Sequence, residues 1–279
     1  MKNAFLALWT VALVAHPGIG IVVDGQGAVY FTDLRQVWKV SPDGKREIVV
    51  PNVHTHELCL DSEGNLFGEH LWYEGDRTGK WGHYVWKRYP SGRIEKIIPA
   101  TEGFLTNYSF VRDSSGNMYW ADRGERVTAI RRRAAGGSGG EPAIRTIAES
   151  RFRNVRWMTA SSDGTVYFMD FQDLVRIPPS GKMEVMARGL ARKSRWMLMP
   201  NPHAVMGLSA DSNGNVYAAV LADGEVKRVT PGGAVTTVSK SQPPWAPAGV
   251  FADGKGAIWI LENKGAFEAR ARKVVLSSE

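Results

Sequence analysis

The stretch DSEGNLF at 61–67 recurs as DSSGNMY at 113–119 and DSNGNVY at 211–217, and aligning on its glycine finds six copies. The glycines are Gly27, Gly64, Gly116, Gly164, Gly214 and Gly256, so the spacing runs from 37 to 52 residues. Each copy is a tight-turn signature: an Asp (Ser161 in the fourth copy) accepts backbone N–H groups, and the glycine takes the positive φ that closes the turn. A short apolar segment such as GIVV, ELCL or GLSA precedes the turn, and a β-rich one such as AVYFTD follows it. A second turn with Pro two residues before Gly comes next in SPDGK, YPSGR, PPSGK and TPGGA. Four strands repeated six times predict an all-β chain, a six-bladed β-propeller of four-stranded antiparallel blades. A two-sheet sandwich is the nearest alternative, but a fixed hairpin written six times fits it poorly.

Two copies depart from the pattern. The third replaces its second turn with RRRAAGGSGGEPA, a glycine-rich loop expected to be mobile. The sixth has no Pro-Gly turn after AIWILE and FEARARK, so another segment is needed to complete its blade. The N-terminus offers two competing expectations. MKNAFLALWTVALVAHP has a basic start and an apolar run from Ala4 to Ala15, which reads as a secretory leader over residues 1–15 and a periplasmic or secreted protein. AFLALWTV could instead supply the missing blade-closing strand. The run is too short to span a bilayer, so no membrane span is expected. Residues 16–279 then form a single domain.

The 279-residue chain is 43% apolar and 23% charged, which excludes a disordered, low-hydrophobicity chain. Its single cysteine excludes an intrachain disulfide and any multi-cysteine zinc module, and Cys59 in ELCLD reads as a small core residue. A formal net charge of +7 favours acidic partners of any kind.

The varied residues gather on one side of the expected disc. With the four strands of each copy called A to D in chain order, all six histidines lie in the D–A or B–C segments, opposite the plain hairpin turns, and so do many of the tryptophans and arginines. A bland face opposite a varied one reads as scaffold and binding surface. Copy two is richest. His54 and His56 share a side of an extended segment, and Glu69 and His70 end the neighbouring strand. His56 and His70 are therefore candidate metal ligands, and Glu57 and Glu69 candidate catalytic carboxylates. Such an imidazole–carboxylate group suits Zn²⁺, Mn²⁺ or Fe²⁺ better than an all-oxygen Ca²⁺ site. The alternative is a set of hydrogen-bonded loop histidines with solvated carboxylates.

Two rings of residues enter the inner strands: Ile19, His56, Tyr108, Arg156, Met206 and Ala248, then Gly20, Glu57, Ser109, Trp157, Gly207 and Gly249. Blades two to four are bulky and polar there, while blades one, five and six are small or apolar. That asymmetry suits a one-sided pocket. His54, Tyr108, Arg156, Trp157 and His203 are the candidate substrate-binding residues, Arg156 beside Trp157 offering a guanidinium fork and a stacking face. Arg156 could equally pair with a neighbouring carboxylate. Asp33, Asp122, Asp170 and Glu262, which follow the second strand of their copies, read as structural acceptors.

The copies GIVVDGQGAVYFTD, LSADSNGNVYAAV and GVFADGKGAIWILE resemble NHL repeats, and residues 16–276 resemble the six-bladed NHL and SMP-30/gluconolactonase-like propellers. The gluconolactonase resemblance implies hydrolysis of a lactone, with a divalent cation (Ca²⁺ among the possibilities) held by carboxylate and amide side chains, Asn107 a candidate among them. Amidating-lyase propellers hold zinc with strand-entry histidines, of which this chain carries His56. NHL propellers can also be interaction modules, some gripping RNA; an exported chain would not meet RNA, so nucleic acid is not expected. Two expectations follow: a metal-assisted, lactonase-like hydrolase of a small polar or anionic substrate with no organic cofactor, and a non-catalytic propeller binding a protein, glycan or polyanion.

Overall fold

The computed structural model describes residues 17–136, 143–192, 203–265 and 267–276. The leader or closing strand expected over residues 1–15 and the centre of the glycine-rich loop lie outside these, as do Lys193, Arg195 and Trp196. The described chain is a six-bladed propeller of antiparallel sheets. Blade one holds β1 (Ile21–Val23), β2 (Val29–Thr32), β3 (Val37–Val40) and β4 (Arg46–Val50). Blade two holds β5 (Leu58–Leu60), β6 (Leu66–Tyr73), β7 (Trp81–Arg88) and β8 (Ile94–Glu102). Blade three holds β9 (Met118–Arg123), β10 (Thr128–Arg133) and β11 (Ile144–Ser150); blade four holds β12 (Val155–Ala160), β13 (Val166–Asp170), β14 (Asp173–Ile177) and β15 (Glu184–Ala187). Blade five holds β16 (Leu208–Ala210), β17 (Val216–Val220), β18 (Glu225–Val229) and β19 (Val235–Lys240), and blade six holds β20 (Ala246–Ala252), β21 (Ala257–Lys264) and β22 (Glu268–Val275). Among the described residues, no helix is long and apolar enough to cross a membrane.

The repeated hairpin works as its letters require. In blade one, Asp24 Oδ1 accepts the N–H groups of Gln26 (3.0 Å) and Ala28 (2.9 Å), and Gly27 sits at φ +87°. The following tyrosine adds a pin in three copies, the hydroxyls of Tyr30, Tyr119 and Tyr217 donating to Asp24, Asp113 and Asp211. Where Ser161 replaces the aspartate, Asp163 supplies the carboxylate and accepts Thr165 N–H at 2.9 Å. The Pro-Gly turns lie on the same face: a Cβ on Gly27 would meet Pro42 at 3.8 Å, and one on Gly214 would meet Pro231 at 3.3 Å. That contact explains why the two turn motifs travel together.

Among the described residues, blades three and six have three strands each, and the sixth shows no outer strand after β22, where its second turn is missing. The third lacks a regular inner strand: its segment pairs only through a bridge from Arg112 to Met118, Asn107 takes φ +56°, and Ser109 N–H points at the Met118 sulfur (3.2 Å). In blade two the second and third strands run on further than the sequence suggests. β6 does not end at Glu69 and His70 but runs on to Tyr73, leaving a connection of 74–80, with His70 opposite Tyr84 and Leu71 opposite His83. The aromatic-rich HLWY and WGHYVW favour pairing over loop.

Buried apolar faces meet between blades, as where Tyr167, Met169 and Leu174 of blade four pack with Leu208, Val216 and Ala218 of blade five. Near the axis the packing is uneven. A Cβ on Gly249 would lie 2.2 Å from Ile19 O, and one on Gly20 would lie 3.0 Å from Leu58 N. Backbone bonds sew these blades together: Gly20 N–H to His56 O and Gly207 N–H to Ala248 O, both 2.8 Å. The small residues of blades one, five and six therefore mark backbones in contact. Where Glu57, Ser109 and Trp157 replace glycine, a side chain takes up the space that closely approaching backbones would need.

Candidate functional site

Two cavities lie along the axis, and they share Glu57, Phe110, Val111 and Met158 as common wall. The larger, about 750 Å³, opens among the hairpin turns and takes in Asp24, Asp61 and Asp113. Its size departs from the expectation that the plain face is only scaffold. The cause is the plainness itself: Gly25, Gly64, Ala160, Ser209, Ala210 and Ala252 fill little of the opening. Apart from the shared Glu57, its charged groups are committed to structure. Asp61 and Asp113 cap their own turns, and Arg112 donates to Tyr108 Oη (3.1 Å) and Ser109 O (3.3 Å). Burial pushes the Cys59 thiol up to about 11, so it is an inert core residue.

The smaller cavity, about 280 Å³, lies on the loop side between blades two, three and four. Glu57 enters it just before β5, and Glu69 from the middle of β6. Tyr108 and Ser109 come from the irregular inner segment of blade three, and Arg156 and Trp157 from a bulge in β12, where the register shifts between Arg156 and Met158. The bulge puts Trp157 at φ +32°, a conformation that a bulky residue rarely adopts and that clusters at functional sites.

Glu69 is held firmly. Its Oε1 accepts His56 N–H at 2.7 Å and lies 3.5 Å from His56 Nδ1. Trp86, fully buried beneath it, donates its indole N–H to Glu69 O at 2.9 Å. Glu69 is 6% exposed, yet its Oε2 has no hydrogen-bond partner. Burial and the neighbouring Glu69 charge push the Glu57 carboxyl up to about 7, against the pull of His56 and Arg123.

The expected residues assemble in part. Glu57, Glu69, Tyr108, Arg156 and Trp157 line the loop-side cavity. His54 and His56 do share a side, their rings 4.8 Å apart, and burial with the His56 neighbour pushes His54 down to about 4. His70 has a structural post: its Nδ1 accepts His54 N–H at 3.0 Å and its ring stacks on Tyr84 at 4.7 Å. His203 stands behind Trp157, ring centres 6.5 Å apart, its pKa lowered by burial and by Arg156. Arg156 forms no ion pair among the described residues; its Nε is buried without a partner, and burial and Arg123 lower its pKa. Asp33, Asp122, Asp170 and Glu262 are structural acceptors, Glu262 the most buried, with Arg270 and Arg272 at 2.7 and 2.8 Å.

Several lining residues escaped the strand-entry rings, among them His83, Phe104, Trp120 and Arg123. These four come from β7, β9 and a loop, at positions that no period marks. MYWADR, with Arg123 one past the recurring acceptor, was the available signal. Arg123 Nη2 donates to Val155 O at 2.7 Å. Phe104, 78% exposed, packs its edge against Trp81 at 4.6 Å.

The donors do not suit a divalent cation. Among the described residues no three His, Cys, Asp or Glu side chains converge. His70 Nδ1 is taken by a backbone N–H, blade one offers Ile19 and Gly20 at its entry, and Asn107 is exposed outside the cavity lining.

No protein-family model matches the sequence, and no curated protein does. Solved structures do. An auxiliary nutrient binding protein from Bacteroides thetaiotaomicron is similar with a TM-score of 0.60 at 12% identity, over 91% of this chain and 68% of its own. Regucalcin, a calcium-binding protein from Agrobacterium tumefaciens, gives 0.56 at 15% identity, over 88% and 81%. A gluconolactonase from Xanthomonas campestris gives 0.55 at 12% identity, over 88% and 84%. The chain thus has the fold of SMP-30/gluconolactonase-like propellers.

Proposed function

We propose that the protein binds a small polar or anionic molecule in the loop-side cavity and hydrolyses an ester or lactone bond in it. The observation that carries this reading is a pocket with Glu57 and Glu69 on one wall and Arg123 and Arg156 among its other lining residues. A carboxyl poised at about 7 suits a general base near neutral pH. Glu57 takes a proton from water as the water oxygen bonds to the acyl carbon. The guanidinium groups stabilise the carbonyl oxygen as it gains charge. The acyl–oxygen bond then breaks, and the alkoxide leaves with the proton from Glu57. Metal assistance, which the resemblance implies, finds no donor set among the described residues, and no step is routed through a cation. Likeness to a gluconolactonase is in keeping with a lactone or ester substrate.

One observation favours the second reading, a binding propeller without turnover. The Glu57 side chain makes no hydrogen bond among the described residues, whereas a catalytic base is usually oriented by a third group. Acid release from a panel of sugar lactones and amino-acid esters separates the two. The hydrolase reading expects a rate that rises with pH through about 7 and collapses in Glu57→Gln. Binding with no turnover on any member supports the second reading. The leader reading adds export; cleavage after Ala15 in the mature protein supports it, and an intact Met1 contradicts it.

A further inference from the structure

The loop-side cavity is lined by groups of both charge signs that form no close ion pair with one another. No ion pair among the described residues joins Glu57 or Glu69 to Arg123 or Arg156. Arg123 spends one N–H on Val155 O, and Glu69 spends Oε1 on His56 N–H. What remains is unmatched on both signs. Glu69 Oε2 is a carboxylate oxygen in a side chain more than nine-tenths buried, and Arg156 Nε is a buried donor; neither has a partner. Buried polar atoms are almost always paired. An orphaned acceptor on Glu69 and an orphaned donor on Arg156, two residues that line one small cavity, therefore mark side chains that the fold leaves unsatisfied. A ligand of both charges can engage them.

We propose that the ligand is a zwitterion of amino-acid type, its ammonium against Glu57 and Glu69 and its carboxylate, or the ester carbonyl of its ester, against Arg156 and Arg123. The proposal rests on the reading of this cavity as the binding site and names its substrate class. A simple anion would leave the Glu69 carboxylate unmet, and a simple cation would leave the two guanidinium groups unmet. A molecule with both charges is matched on both sides, which is how a site rejects near relatives. At about 280 Å³ the cavity is at the small end of ligand pockets, the size of a single amino acid. Phe104, Tyr108, Trp120 and Trp157 supply an aromatic wall for an apolar or aromatic side chain.

The test is calorimetric binding near neutral pH with three molecules of one shape: L-phenylalanine, N-acetyl-L-phenylalanine and 2-phenylethylamine, with glucose as a neutral control. The zwitterion should bind at least about tenfold tighter than the anion, the amine or the sugar. Glu69→Gln should weaken phenylalanine and the amine by about tenfold and leave the N-acetyl compound unchanged. Arg156→Gln should weaken phenylalanine and the N-acetyl compound and leave the amine unchanged. Equal or tighter binding of the anion or of glucose, or phenylalanine binding that neither variant alters, overturns the proposal, as does no binding of phenylalanine at all. Circular dichroism accompanies each variant; if Glu69→Gln does not fold, the Arg156→Gln arm decides. Failures separate cleanly. Phenylalanine bound with no ester cleaved sinks the hydrolase and leaves this inference standing, and lactones cleaved by a protein that ignores phenylalanine do the reverse.

Discussion

The two ends of the axial channel share a wall at Glu57 and differ in almost everything else. The hairpin end is wide, and its carboxylates are spent: Asp24 and Asp113 each cap a turn and accept a tyrosine hydroxyl. The loop end is about a third as large, and its charged groups are only partly used by the fold. Cavity size therefore follows from small side chains, whereas chemistry follows from polar groups that the fold does not use itself. Repetition explains the contrast. A hairpin that must close six times commits its aspartates to closing it, and the connections on the other side are free to differ.

The sharpest way to break this comparison is at the shared wall. Glu57→Gln should lower kcat/KM for a hydrolysed ester by about 10³-fold, within the usual range for loss of a general base, while far-UV circular dichroism stays unchanged. A variant that keeps its rate would remove the loop end's claim to chemistry.

The same residue should leave a mark on stability. Glu57 titrates at about 7 when folded, against 4.5 ordinarily, so the folded state holds the extra proton between those values. Its contribution is full at low pH and falls as pH rises to about 7. His54, depressed to about 4 from 6.5, has the opposite sign: its contribution is lost as pH falls from about 6.5 towards 4. The two largely cancel in the native protein. Urea titrations at about pH 5 and about pH 8 should show Glu57→Gln gaining up to about 3 kcal/mol at the higher pH relative to the lower, and His54→Gln shifting the opposite way. A flat difference for both would contradict the burial assigned to them.

At the hairpin end the expected effects are structural and smaller. Asp211 accepts the N–H of Asn213 and of Asn215 and the Asn215 amide. Asp211→Ala should cost about 1–2 kcal/mol in chemical denaturation with activity intact. Gly164→Ala, at φ +83°, should cost about 1 kcal/mol, again without loss of rate.

Sequence reading went furthest where physics repeats. The six hairpins, the incomplete sixth blade and the structural role of Asp33, Asp170 and Glu262 were all legible, because each follows from local turn chemistry or a fixed offset. Glu57, Tyr108, Arg156 and Trp157 were legible because strand entry is a countable position. His70, expected as a ligand, also serves the fold, because its Nδ1 accepts His54 N–H, a contact that spacing does not reveal. Arg123, Trp120 and Phe104 were missed because they reach the cavity from β9 and a loop, away from the strand entries, where only the tertiary fold brings them together. The asymmetry between small and bulky blades was legible, but not that the glycines of blades one, five and six are backbone contacts.

Soaking crystals of the protein in a mixture of small esters, lactones, amino acids and sugars tests the central claim most directly. The account predicts that bound molecules collect between Glu57 and Glu69 on one side and Arg123 and Arg156 on the other. Occupancy confined to the hairpin end, among Asp24, Asp61 and Asp113, would contradict it.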